Sequence, residues 1–254
     1  MSNNFIKDKY RIFNSYHLKL IAMISMLLDH FAYAVIYYSW YVSAIKAGSG
    51  NAHGIYLWVK YLRFIGRLSF PLFVFLLVEG FIYTKNIKKY ALRLLALALI
   101  SEVPYALLFR DKWISFDKQN VVFSLLSCLV MLYLLHNVRV NDKISMTVSA
   151  VLQVLIIAAF GALAYFANFD YSYNGIILAA VLYYLHGMHP ISEFCGAVSM
   201  SYKDFQLPAI LAFFLMLFYN GKKGKNTYLF YLVYPVHLLI LYLIKDIIPN
   251  PFSL

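Results

Sequence analysis

The chain has 254 residues, of which 63% are hydrophobic and 13% charged, with a formal net charge of +11. Soluble domains carry about a quarter charged residues, so this composition excludes one, and repeated apolar runs of membrane-crossing length point to a polytopic helical membrane protein. The basic excess reads as topology and anionic-lipid contact at helix ends, which leaves nucleic-acid binding without support.

The lead-in, residues 1–17, is polar and basic (Lys7, Lys9, Arg11). The first apolar run has no small-residue cleavage site after it, so no cleavable signal peptide is expected. The first span covers about Leu18–Tyr38, and a polar loop centred on AGSGNAHG follows. A second span covers about Tyr61–Tyr83 with Pro71 inside it, and a third about Tyr90–Phe109 with Glu102 and Pro104. Further spans follow at about Val121–Leu135, Ser145–Phe166 and Tyr173–His186. Residues 187–206 are ambiguous, because the apolar stretch ISEFCGAVSM is only ten residues long. A short span at Leu207–Tyr219, the basic turn NGKKGKN and a last span at Thr227–Ile244 complete the chain.

The expected fold is therefore all-α: one transmembrane bundle over 1–254 with about nine helices (range eight to ten) and a cytoplasmic N-terminus. If residues 189–201 cross, thirteen Lys and Arg fall inside and eight outside, leaving aside Arg67. If they do not, the tally is twelve to nine. The positive-inside bias favours the first arrangement, with a re-entrant segment as the other possibility.

Asp29 and His30 stand out in the first span. They lie ten and eleven residues past Lys19, about 16 Å into a core of about 30 Å at 1.5 Å rise per residue. Ionisable groups at that depth cost several kcal/mol and mark functional sites by default. Glu102 and His237 reach a similar level from other helices, so four ionisable groups from three helices converge. The bland alternative is a polar cluster that glues helices together. Adjacent helical residues point about 100° apart, so Asp29 is not placed to orient the His30 ring. Glu102 is the expected partner of His30, and Arg63 or Arg67 the expected cation for Asp29. Arg67 sinks toward the membrane centre only if its helix starts early, near Ile55.

Lys85, Lys88, Lys89 and Arg93 form a basic rim that suits either topology or a phosphate-bearing ligand. Glu79 lies near that rim, in reach of Lys85 or Lys88. His136, His186 and His189 fall at helix ends. Cys128 and Cys195 lie in apolar segments, so no disulfide is expected, and no strong metal-ligand spacing is present.

MISMLLDH (23–30), GRLSFPLFVFLLVEG (66–80), TKNIKKYALRL (84–94), SEVP (101–104), Asn120 before an apolar run, Asp170–Tyr171, YNGKKG (219–224) and YPVHL (234–238) occur in an order that resembles the TraX family. That family is named for a protein implicated in N-terminal acetylation of conjugative pilin. Ser172 departs from the pattern, where glycine is expected after Asp170–Tyr171. The family in turn resembles membrane acyltransferases that use acetyl-CoA, in which a basic residue precedes the first-helix histidine by the spacing of Lys19 and His30. Their paired arginines are matched only loosely by Arg63 and Arg67.

The resemblance implies a multi-pass membrane enzyme with about ten helices, cytosolic acetyl-CoA as donor and His30 as base or acyl carrier. With that chemistry, the other residues of the cluster and the basic rim take expected roles. Asp29 and Glu102 complete the catalytic group. Lys19, Arg63, Arg67 and the Lys85–Arg93 rim meet the donor, while Glu79, Tyr234 and His237 line the acceptor side. Arg67 or Tyr234 is the expected oxyanion donor. The acceptor is a pilin-like peptide or a surface polymer. A proton-coupled transporter and a non-catalytic factor for assembly of a surface appendage are the competing readings.

Overall fold

The computed structural model describes residues 8–115, 117–200, 207–225 and 229–248, and these are helical apart from turns and two isolated bridges. Helix α1 (Ser15–Phe31) passes without interruption into a π-helical stretch, Ala32–Tyr41, and then into α2 (Val42–Lys46). Asn14 caps α1 by accepting from the His17 N–H at 3.0 Å. Helices α3 (Ala52–Gly66) and α4 (Ser69–Tyr83) form the second long segment. Helix α5 (Ile87–Arg110) follows, and then α6 (Val121–Arg139), α7 (Met146–Phe166) and α8 (Ser172–Tyr184). Helices α9 (Ile191–Met200), α10 (Leu207–Leu217) and α11 (Leu229–Ile244) end the bundle. Joined where they are continuous, these make nine helical units among the described residues. Five stretches are long and apolar enough to cross a membrane: Ser15–Lys46, Ala52–Tyr83, α5, α6 and α7. The chain is a multi-pass membrane protein of the all-α class.

Two expected boundaries move, with consequences for the site. The first span runs on to Lys46, and the second begins at Ala52 rather than near Tyr61. Arg67 therefore lies at the midpoint of a 32-residue segment. The same segment breaks between Gly66 and Ser69, so that Pro71, inside the span as expected, falls in the first turn of α4. A proline at 71 cannot donate to the carbonyl of residue 67, which gives the interruption its local cause.

The ambiguous region also resolves. His186, just past α8, pairs with Glu79 near the end of α4, and α9 starts from that end. Tyr219, just past α10, bonds to Ser15 at 2.9 Å. Helices α9 and α10 thus enter and leave by one end, each about 15–17 Å long, half the thickness of a bilayer core. Gly196 makes their close packing possible, because a Cβ there would lie 2.5 Å from the Phe213 ring. Residues 201–206, and the expected start of the last span at Thr227, lie outside the described residues. The Lys222 carbonyl accepts from the Ser15 N–H at 2.9 Å, so the lysine-rich turn shares its end of the bundle with the start of α1. It does so because α9 begins and α10 finishes at that end, each only half a core long, not because α9 crosses. Asp111 and Lys245, paired at 2.6 Å, mark the opposite end.

Helices α6 and α8 start well short of that opposite end. Asn120, the cap of α6, is fully buried against the middle of α5, where its Nδ2 donates to the Ala98 carbonyl at 2.9 Å. Tyr171, just before α8, stacks on Phe70 at 3.7 Å, beside the break between α3 and α4. The segments before α6 and α8 therefore run into the bundle, and they meet there through a bridge between Gln119 and Phe169.

Candidate functional site

His30 and His237 face each other between α1 and α11. His237 Nδ1 lies 2.7 Å from the Val233 carbonyl, which can only accept, so Nδ1 carries the proton. With the ring neutral, His237 Nε2 is then an acceptor, and it lies 2.7 Å from His30 Nδ1. His30 Nδ1 must donate, which leaves the lone pair of its neutral ring on Nε2. One backbone carbonyl thereby assigns the tautomer of both rings. The ring planes lie within 7° of each other. Phe109 packs edge-on against His30 at 5.4 Å and Tyr234 lies 6.3 Å away, so both rings wall the histidine. The Tyr234 hydroxyl meets the backbone of Val121, at the start of α6.

Asp29 turns the other way, toward α3. Its Oδ1 receives Arg63 Nε at 3.3 Å, and the Arg63 guanidinium lies 4.7 Å from the centre of the Tyr33 ring. Of the two arginines offered for Asp29, Arg63 makes the direct contact, and Arg67 acts on it electrostatically. Gly66 is what admits Asp29, since a Cβ at 66 would lie 2.3 Å from the Asp29 Cβ. Arg67 in turn is hydrogen-bonded to the Tyr171 side chain. Asp170 pairs with Lys118 at 2.7 Å and acts electrostatically on His30, Asp29 and Arg67.

Glu102 does not orient His30. It sits on the α6 side, where it accepts from Asn120 Nδ2 at 2.6 Å, while Asn120 Oδ1 caps α6 by accepting from Val122 N–H at 3.0 Å. The physical reason is that Asn120, buried as a cap, holds two donor hydrogens that need acceptors, and Glu102 and Ala98 supply them. His237, expected on the acceptor side, takes the position next to His30 instead.

Glu79 is also placed elsewhere. It is buried near the lysine-rich end, accepts from His186 at 2.7 Å and meets Tyr219, with no contact to Lys85 or Lys88. Lys85, Lys88, Lys89 and Arg93 are exposed at the same end. Lys19 is half-buried and close enough to Lys223 to feel its charge. The structure thus brings His30, Asp29, Arg63, Arg67, Tyr234 and His237 together, keeps Glu102 one layer away, and leaves the basic rim and Glu79 toward one end. Sequence reasoning did not assign roles to Asn120, Lys118, Phe109, Asp170 or Tyr171. Asn120 and Asp170–Tyr171 carried a signal as ordered motifs, whereas Lys118 and Phe109 carried none. Among the described residues, no group of three or more His, Cys, Asp or Glu is arranged to hold a metal.

The two residues that end the 167–172 segment have an unusual backbone. Tyr171 and Ser172 have φ of 61° and 47°, in the left-handed region that glycine adopts most easily. The glycine expected from the family pattern at 172 suits this geometry. In this chain a serine adopts it, with its buried hydroxyl unpartnered among the described residues.

Comparison with known proteins places this arrangement. The family model described as TraX protein matches residues 15–245, a range that contains all of the residues above. A relative from Dichelobacter nodosus, described as probable fimbrial assembly protein FimC of serogroup H1, is 29% identical over 257 residues, covering 90% of this chain and 94% of its own length. No solved structure gives a significant match. With the match spanning α1 to the end of α11, and the clustered residues drawn from the ordered motifs, the chain belongs to the TraX family.

Proposed function

We propose that this chain is an integral membrane acetyltransferase that moves an acetyl group from acetyl-CoA to an amine or hydroxyl acceptor. The observation that carries the reading is the His30–His237 pair, in which the Val233 carbonyl leaves a lone pair on His30 Nε2 at membrane depth. A neutral imidazole is suited to take the proton of an amine or hydroxyl as that group attacks the thioester carbonyl. The C–S bond then breaks, and the proton passes from His30 to the departing CoA sulfur. Arg63, which acts electrostatically on His30 as well as pairing with Asp29, is the guanidinium best placed to stabilise the developing oxyanion. Tyr234 is less suited to that role, because its hydroxyl is engaged at the start of α6. Alternatively, His30 Nε2 carries the acetyl group between the two partners.

The lysine-rich end fits the donor side. It holds Lys19, Lys222, Lys223 and the Lys85–Arg93 rim, and the positive-inside bias makes it cytosolic. Lys19 lies about 16 Å along α1 from His30, a distance the extended pantetheine arm of CoA covers while its phosphates stay with the lysines. The Dichelobacter relative's description favours a subunit of a surface appendage as acceptor, and it equally supports a second reading, a non-catalytic assembly factor.

Acetyl-CoA binding separates the two. The purified protein in detergent is expected to melt at a higher temperature with acetyl-CoA, and acetyl transfer is expected to fall by about 10²–10⁴-fold in His30→Ala with insertion unchanged. An active His30→Ala protein would rule out this mechanism, and no shift with acetyl-CoA would favour the assembly factor.

A further inference from the structure

We infer that the segments before α6 and α8 line a water-filled vestibule that opens on the end opposite the lysine-rich turn and leads to Asp29 and His30. It is a binding entrance for a hydrophilic acceptor group, and in that respect it rests on the proposed transfer reaction. The vestibule itself does not depend on that reaction.

Three observations carry it. First, irregular backbone lies deep in the bundle. Asn120 abuts Ala98 and Glu102 in the middle of α5, and Tyr171 abuts Phe70 and Arg67 at the midpoint of the α3–α4 segment. Non-helical backbone at such depth persists only where it is buried in protein or lines a water-filled cavity. Second, the charged side chains there are not sealed. Lys118 is 42% exposed, Asp170 28%, Arg63 32% and Asp29 23%. Partly exposed charges at membrane depth need water, because hydrocarbon would not tolerate them. Third, buried polar atoms border the segments without a partner among the described residues: Glu102 Oε1, Ser172 Oγ and Arg110 Nε. Each can be met by water or by a polar group of the acceptor.

The direction of opening follows from the topology. Residues 111–115 start at Asp111, which pairs with Lys245 at the end away from the lysine-rich turn, and residues 117–120 end deep in the bundle at Asn120. Residues 167–171 come from α7, whose other end lies beside α6 at the lysine-rich side through the Ser149–Val138 contact. Donor and acceptor would then reach His30 from opposite faces of the membrane.

The test is thiol accessibility in sealed vesicles of each orientation, in a background with Cys128→Ala and Cys195→Ala. Single cysteines are placed by Lys118→Cys and Gln119→Cys in the vestibule, Val154→Cys on the lipid-facing side of α7, and Lys222→Cys at the lysine-rich turn. A membrane-impermeant charged maleimide is the probe. Lys118→Cys and Gln119→Cys are expected to react at least about tenfold faster than Val154→Cys, and from the face opposite that at which Lys222→Cys reacts. Reaction no faster than Val154→Cys, or reaction from the Lys222→Cys face, overturns the proposal. The readout needs no acetyl transfer, so a failed acetyl-CoA shift with positive labelling sinks the proposed reaction and leaves the vestibule standing.

Discussion

At the scale of single residues, the reading depends on which nitrogen of His30 keeps its lone pair. In the proposed mechanism His237 is a positioning residue, since it accepts from His30 Nδ1 and is itself held by Val233. His237→Leu removes that acceptor and is expected to lower acetyl transfer by about 10–100-fold, the usual effect of losing a partner that orients a histidine. His237→Gln, which restores an acceptor oxygen, is expected to recover most of the rate. ¹⁵N-histidine NMR checks the cause independently of the assay: wild-type His30 should be protonated on Nδ1, and His237→Leu should lose that preference. Ser172 poses a separate question at this scale. Its φ of 47° and unpartnered buried hydroxyl both disfavour serine. Ser172→Gly is expected to stabilise the protein by about 0.5–1 kcal/mol, read as a rise in melting temperature in detergent.

At the scale of elements, the site is assembled by interruptions in helices. The π-helical stretch begins two residues after His30, the α3–α4 break falls at Arg67, and Pro235 sits two residues before His237. Each interruption lies next to a residue of the proposed site, and interruptions of this kind alter the direction or width of a helix. The close approach of α3 to α1 depends on Gly66, so Gly66→Ala should push Asp29 and Arg63 apart and cost about 1–3 kcal/mol, measured by thermal unfolding in detergent. Gly54, in the same helix, where a Cβ would meet nothing within 4 Å, is the control. Gly54→Ala should be neutral or stabilise by about 0.5–1 kcal/mol, because alanine suits a helix interior better. If both substitutions behave alike, the packing argument for Gly66 fails.

At the scale of the whole molecule, the bundle has two unlike ends. One gathers the start of α1, the lysine-rich turn, the buried Glu79–His186 pair and the exposed Lys85–Arg93 rim. The other receives the segments that run in to Asn120 and Tyr171. Composition and hydropathy determined the class, because a chain with 63% hydrophobic residues in long runs has only helices with which to satisfy its backbone in lipid. Counting along a helix placed Asp29, His30, Glu102 and His237 at one depth, because rise per residue is a local property of the backbone. Depth alone did not say which helix each side chain meets. Glu102 was expected beside His30 on the strength of level and charge, and only the packing of α5 against α6 gave it to Asn120. Likewise the start of α3 at Ala52, which sets the depth of Arg67, depends on its packing against the π-helical stretch and not on the polar look of AGSGNAHG. The sequence by itself therefore determined the fold class, the first-helix pair and the level of the site. The tertiary structure alone decided the pairings, because azimuth around each helix and contacts between distant segments are set by how the helices pack, which no local periodicity records.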